Sequence, residues 1–438
     1  MVSEDPAAAR RHERDDLFAW LTLVTLGTLA TWWAVRAGVQ LGTASAPFLG
    51  RYRVEIGPAT LLAPLIALTV LTFARRGWFH SSRWGIVVIV SYCGLLLWAA
   101  ALAFVDGTDG FTRALLSPDS YLTDVTAVGD HPWEYLRSFT ATAPEKSFAS
   151  RGHPPAPVLL LWAAQRAGLT DHLMLGLLVT ALGALVAPLV LSAVREVCGE
   201  AAARSYAPLL MLATWAVWLA VSIDALVATL GAAMIAAGVR ATTRHRWRAL
   251  GWALLAGLAL GIAALFSYAA AWLGLSVLCL NFARRRAALN WASGIGALLP
   301  VLAAWAVGFN WFDGLASAHS DFTTRVDPIR PPLPWAGISL VALLLAAGPA
   351  LIPGIRKLRN TPGWPFLAGA GAAVVFSIAT GLARGGVEHA WLAYFPWLTI
   401  AAVAPEHRGG PVPPPPLLLV SVGVVTAVVV EAVLATPW

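Results

Sequence analysis

Long apolar runs separated by short polar stretches dominate this chain. The runs fall near 17–37, 57–74, 84–105, 155–167, 173–194, 201–240, 248–266, 267–283, 287–307, 335–353, 364–383, 389–404 and 413–435. Most approach the roughly 18 residues that a helix needs to cross a hydrocarbon core of about 30 Å. The pattern predicts an all-α, polytopic helical membrane protein with about 13 transmembrane helices. One run is awkward: 201–240 is too long for one straight helix and too short for two full spans. Trp215, Trp218 and the polar Ser222-Ile223-Asp224 near its middle predict a break there.

The polar stretches set the orientation. Basic residues cluster at Arg75-Arg76, at Arg244-His245-Arg246 with Arg248, at Arg284-Arg285-Arg286, and at Arg356-Lys357 with Arg359. Short basic loops stay on the cytoplasmic side. Placing all four clusters inside, together with the charged leader Arg11, Glu13, Arg14, Asp15 and Asp16, requires 201–240 to make one net crossing. The N-terminus is then inside and the C-terminus outside, at the plasma membrane. The first apolar helix is too long for a cleavable signal peptide and lacks a small-residue cleavage site. The proline-rich 409–416 reads as a stiff lead-in to the last helix. Three segments, 106–153, 309–334 and 384–388, fall on the outer face and carry most polar residues that are not topology markers. The function is therefore expected outside.

Composition narrows the classes. Hydrophobic residues make up 58% and charged residues 12%, which excludes an ordinary soluble domain. The net charge of +7 lies in the inter-helix clusters, so it marks topology and not a nucleic-acid surface. Cys93, Cys198 and Cys279 are far apart, with no disulfide or metal spacing, and read as buried, inert thiols.

Candidate chemistry concentrates in the outer segments. The first, about 48 residues long, exceeds a plain connector and needs structure of its own. Ser117-Pro118-Asp119 reads as a helix start and Asp130-His131-Pro132 as a turn, giving short interfacial helices near 119–128 and 133–141. Trp133, Tyr135 and Phe139 would anchor them at the headgroups. Asp106 and Asp109 sit at the outer end of their helix, as candidate bases or as solvated end charges. His153 precedes two prolines, which exclude helix at its own position and pin the next helix's first turn. Arg330 stands in the proline-stiffened Asp327–Pro332, placed to hold a phosphate or to anchor at the interface. Glu388 and His389 open the penultimate helix. Asp224 is either an intramembrane functional acid or part of a cap on the second half-helix.

Together these residues resemble the GT-C superfamily of polyprenyl-phosphate-dependent glycosyltransferases, which includes protein mannosyltransferases, the lipid A aminoarabinose transferase and arabinofuranosyltransferases. More closely, the chain is similar to a group of actinobacterial integral membrane proteins of that kind. The pieces that carry the resemblance are Val105-Asp106-Gly107, Tyr121-Leu122, Gly152-His153-Pro154-Pro155, Ser222-x-Asp224-Ala225, Trp311-Phe312-Asp313-Gly314-Leu315, Arg330-Pro331, Gly348-Pro349-Ala350 and Glu388-x-x-Trp391. They spread over 84–438. Residues 1–83 are then a leader with two additional helices, 84–308 a core carrying the first outer loop, and 309–438 the C-terminal helices with the other two. The chain departs from the pattern at Ala156, Pro332 and His389-Ala390.

The resemblance implies transfer of a sugar from a polyprenyl-phosphate donor to a cell-envelope glycan, lipid or protein on the outer face, inverting, with the lipid phosphate leaving. Asp106 is the expected base and Asp109 the second choice. The implied substrate-binding set is Asp119, Tyr121, His153, Asp224, Arg330, Glu388, His389 and Trp391. A divalent metal is compatible with several acids in one loop, though no ligand spacing demands it, and no nucleotide-binding motif is present. Two other classes stay open. A transporter or flippase of lipid-linked substrates would place Asp224 and the broken segment at a midplane site. A non-catalytic partner in envelope assembly needs no site at all.

Overall fold

The computed structural model describes residues 6–358, 360–407 and 409–435, with side chains from residue 11 onward; Arg359 falls outside them. Among these residues helices predominate, and the strands are one two-residue pair. Seven helices are long and apolar enough to cross a membrane: Arg11–Arg36, Pro58–Arg75, Trp84–Leu116, His172–Cys198, Ile223–Thr243, Arg246–Phe266 and Leu289–Ala306. Pro332–Ala347 and Leu351–Lys357, bent by 108° at their junction, make an eighth if the pair is counted as one span. Tyr268–Ala283, Trp364–Ala379 and Leu417–Val433 are shorter apolar helices. The run 389–404 is not a continuous helix. It is a buried chain of single turns, Val387–Ala390, Phe395–Leu398 and Ile400–Ala402.

Polar contacts gather the basic clusters at one end of the bundle. Arg204 donates to the carbonyls of Phe79 (2.6 Å) and Ser82 (2.8 Å), and Arg284 to that of Glu196 (3.4 Å). Arg286 bonds the Arg244 carbonyl at 2.6 Å, and Arg356 pairs with Asp16 at 2.9 Å. Ser205 meets the Pro413 carbonyl, and Glu13 accepts from the Leu418 N–H, so the starts of the first and last helices share this end.

The path between the ends differs from the expected one in two places. Arg204 near the start of Glu200–Met211 and Thr242 near the end of Ile223–Thr243 both lie at the basic end. The segment 200–243 therefore enters, turns at 213–222 and returns, with no net crossing. Its turn is built by Pro208, a 3₁₀ stretch Thr214–Trp218, and Val221 at φ 62. The break leaves carbonyls free, and buried Trp98 donates its indole N–H to that of Ala213 at 2.9 Å. The second difference is Ala156–Arg166. Its 11 residues reach only about 16 Å. Near its C-terminal end, Trp162 and Arg166 donate to the Gly129 carbonyl at 2.8 and 3.0 Å, so both ends stay with the long polar loop. The two departures cancel in the parity.

At the opposite, polar end the long loop folds into a cap of short turns, including Tyr121–Asp124, Val125–Val128, Pro132–Ser138 and Phe148–Gly152. Trp133 is exposed, but Tyr135 and Phe139 are buried and are not headgroup anchors. Phe139 packs edge-on against Phe309 at 5.5 Å, and the Lys146 ammonium sits 4.9 Å above the Phe139 ring. Buried Asp124 accepts from the Ser147 hydroxyl (2.6 Å) and N–H (3.1 Å), which closes the cap. Cys198 is buried, whereas Cys93 faces outward, and all three thiols are free.

Residues 37–57, between the first two helices, are bound into the same end. Arg51–Tyr52 pairs antiparallel with Leu434–Ala435. Trp335 donates to the Leu41 carbonyl at 3.2 Å, and Arg53 bonds Asp106.

A candidate active site at the polar end

One cavity of ≈ 280 Å³ collects most of the candidate residues. Asp119, Tyr121 and His153 come from the cap, Asp224 from the break, Arg330 from the proline-stiffened turn, and His389 from the single-turn helix Val387–Ala390. Its other lining residues include Arg384 and, from the N-terminal segment, Leu49.

The break presents Asp224. The Ser222 side chain caps Ile223–Thr243 by accepting from the Asp224 N–H at 3.2 Å. Asp224 then lies in the first turn, where the helix dipole favours a carboxylate. Val221, β-branched at positive φ, is an uncommon geometry, and its N–H is held by the Thr180 hydroxyl at 3.0 Å. His389 Nδ1 lies 3.4 Å from the Ser222 Oγ and 3.9 Å from Asp224 Oδ2.

The prolines after His153 keep it extended, at φ −133 and ψ 159. Its Nδ1 is 2.9 Å from the Ala149 carbonyl, which fixes the proton on Nδ1 and leaves Nε2 as the ring's acceptor. The ring meets Tyr121 edge-on, centroids 5.7 Å apart. Burial first, and then the Asp224 charge, push the Tyr121 phenol well above its ordinary range, so it acts as a hydrogen-bond donor. Asp119 is exposed at the mouth of the cavity, and its carbonyl accepts from the Ala149 N–H at 3.1 Å.

The opposite wall is cationic. Arg330 donates to the Arg384 carbonyl at 2.7 Å, and Arg384 to the Arg330 carbonyl at 3.1 Å. Arg384 also pairs with Asp327 and lies over the Phe322 ring at 5.4 Å. The Nε of each guanidinium is buried and meets no hydrogen-bond acceptor among the described residues. Two fixed, planar cations lining one cavity suit an anionic oxygen ligand.

Glu388 does not line the cavity; it lies behind Arg330. It is fully buried, and among the described residues no group meets hydrogen-bond geometry with either carboxylate oxygen. Burial raises its carboxyl to about 7, with its own N–H, that of Leu49 and the Arg330 charge opposing the rise. Burial likewise works against the Arg330 cation, and Glu388 works for it.

Besides Glu388, three candidate residues stand outside this cavity. Asp106 is held by Arg113 Nη1 at 2.5 Å and by Arg53, and it does not line the cavity. Asp109 is exposed and lines a separate cleft. Trp391 is buried outside the cavity, its indole N–H 3.3 Å from the Ser377 hydroxyl. Sequence reasoning missed Arg384 as a residue of this cavity. The signal was the following Gly385-Gly386, at φ 95 and 69, where positive φ lets the chain reverse and lay Arg384 beside Arg330. A Cβ on Gly385 would stand 2.9 Å from Arg330 Nη1.

Beneath Asp224 and His389 the space narrows to ≈ 0 Å³ around Ala269 and Tyr394. The Tyr394 hydroxyl bonds the Ala269 carbonyl at 2.6 Å, closing the floor. Among the described residues no three or more His, Cys, Asp or Glu side chains gather as a metal site.

No protein-family model matches this sequence, and none of the curated proteins matches it. Among solved structures the chain is similar to the Archaeoglobus fulgidus oligosaccharyltransferase in complex with Zn and sulfate, at 15% identity and a TM-score of 0.43, over 70% of this chain and 49% of that one. It is similar to the same enzyme tethered with an acceptor peptide, at 15% identity and TM-score 0.41, over 76% and 49%. ArnT from Cupriavidus metallidurans in the apo state gives 15% identity and TM-score 0.38, over 64% and 58%. This chain thus spans about half the length of the structures it matches.

Proposed function

We propose that this protein is a membrane glycosyltransferase that moves a sugar from a polyprenyl-phosphate donor to a cell-envelope acceptor on the outer face. The observation that carries the reading is one cavity lined both by the arginines Arg330 and Arg384 and by the carboxylates of Asp119 and Asp224. The paired guanidiniums hold the donor phosphate and stabilise the charge it gains on leaving. Asp224, His153 Nε2 and the Tyr121 hydroxyl hold the sugar.

Asp119, at the mouth, is the base. The acceptor hydroxyl oxygen bonds the anomeric carbon while the bond from that carbon to the phosphate oxygen breaks. The electron pair leaves with the phosphate, and the hydroxyl proton passes to the Asp119 carboxylate. Attack opposite the leaving phosphate inverts the anomeric centre. No step is routed through a metal.

The test is reconstitution of the full chain in proteoliposomes with polyprenyl-phosphate sugars and an envelope extract. Wild type should label the extract, and Asp119→Asn should lose at least a hundredfold in rate with unchanged melting temperature. Absence of labelling from every donor would remove the transferase reading.

A further inference from the structure

A second cleft of ≈ 960 Å³ opens at the same end, near the upper limit of the about 300–1,000 Å³ usual for ligand pockets. One side is Gly50–Arg53 of the N-terminal segment, and the other is formed by residues between Asp109 and Pro118. Ser117 borders both this cleft and the inner cavity, Pro118 borders only the cleft, and Asp119 borders only the cavity. The partition between the two spaces is therefore the tripeptide that ends in the proposed base.

The lining has a particular chemistry. It holds the guanidiniums of Arg51, Arg53 and Arg113, the carboxylate of Asp109, the hydroxyls of Thr112 and Ser117, and the Tyr52 ring. Arg53 and Arg113 share the Asp106 carboxylate, and Arg53 also meets Glu55 at 3.4 Å. With Asp109 added, three carboxylates balance three arginines. An anionic ligand gains little from compensated cations. A neutral polyhydroxyl ligand finds donors and acceptors in fixed planes, which suit paired hydroxyls. The exposed Tyr52 ring, its hydroxyl bonded to the Ser45 and Ala46 carbonyls at 3.2 and 3.1 Å, offers an apolar face for the C–H side of a sugar.

We infer that this cleft is the acceptor site, that its ligand is a neutral glycan, and that it presents the glycan hydroxyl to Asp119 across Ser117-Pro118. The inference rests on the transferase reading and adds to it the class and place of the acceptor.

The test uses the full chain in lipid nanodiscs. The probes are the neutral and acidic oligosaccharide fractions released from the source cell's envelope by mild acid, followed by equilibrium dialysis, with undecaprenyl phosphate as the inner-cavity probe. The neutral fraction should bind. Asp109→Ala and Tyr52→Ala, both at exposed positions, should each weaken that binding tenfold or more and leave undecaprenyl phosphate binding within twofold. Tighter binding of the acidic fraction, or neutral binding unmoved by both variants, overturns the inference. If wild type transfers sugar while both variants keep the wild-type acceptor KM, the acceptor site falls and the transferase stands. If the neutral glycan binds as expected but no donor supports transfer, the glycan site stands and the transferase reading falls.

Discussion

Arg330 and Arg384 each donate to the other's backbone carbonyl, at 2.7 and 3.1 Å, so two cations 54 positions apart in sequence are fixed side by side. Mutual repulsion would separate them in water. Here the backbone bonds, Asp327 and the ring of Phe322 hold them, and their Nε groups remain unused.

The first prediction concerns this pair. Arg384→Lys keeps the charge and loses the planar fork. A hydrogen bond to a charged group contributes about 1.5–3 kcal/mol, so undecaprenyl phosphate binding should weaken roughly tenfold or more. Arg330→Lys should do the same, and the double variant should be less than additive because the two side chains form one unit. Dialysis against labelled lipid phosphate reads this directly. Full additivity would mean that the two residues act apart.

Asp106 separates the sequence reading from the structural one. As a base, its replacement by Asn would abolish transfer. As a tie for Arg53 and Arg113, the same change should cost about 1–2 kcal/mol of stability, discounted because both arginines are more than a third exposed. Asp106→Asn should speed proteolysis within 37–57 and keep measurable transfer. An inactive variant with an unaltered cleavage pattern restores Asp106 as the base.

Glu388 makes stability depend on pH. Its carboxyl titrates at 4.5 when the chain is unfolded and at about 7 in the native protein. Below the lower value both states hold the proton and the native state has its full advantage. Between the two values the unfolded chain has released the proton while the native chain keeps it, so stability falls as pH rises and the loss is complete above 7. The melting temperature of wild type should decline relative to Glu388→Gln across that window, by an amount equivalent to about 3 kcal/mol. Parallel profiles for the two proteins would show that Glu388 is solvated in the native state.

Ser222→Ala removes the cap of Ile223–Thr243. The expected cost is about 1 kcal/mol. Loss of the hydroxyl that also stands 3.4 Å from His389 should raise the donor KM several-fold. Ser222→Asp, which retains a capping oxygen, should restore stability without restoring the KM. Rescue of both would show that capping is the whole of its role.

The polar end was legible in sequence because prolines and breaks are local signals. His153 was placed by the two prolines after it, Asp224 by the polar interruption of an apolar run, and Arg330 by the prolines around it. The break near 215–224 was visible for the same reason. Its direction was not: whether a broken segment crosses or returns depends on contacts such as that of Arg286 with the Thr242 carbonyl, which no local pattern encodes. Asp106 stands outside the cavity, tied to Arg53 of another segment, a pairing that no local pattern shows. Arg384 was passed over because an arginine before two glycines looks like any loop until the reversal sets it beside Arg330.

On the proposed reading, Leu49 gives the N-terminal segment a part in the chemistry. Its side chain lines the cavity and lies against the turn at Gly385, so residues before the helix Trp84–Ala103 close off one side of the donor. Shielding a reactive donor from bulk solvent decides whether it reaches an alcohol or is lost to hydrolysis. Shortening Leu49 to Ala should therefore shift products from glycoside toward free sugar while total donor consumption holds. On that view the first two helices act as a seal that keeps each activated sugar from being wasted.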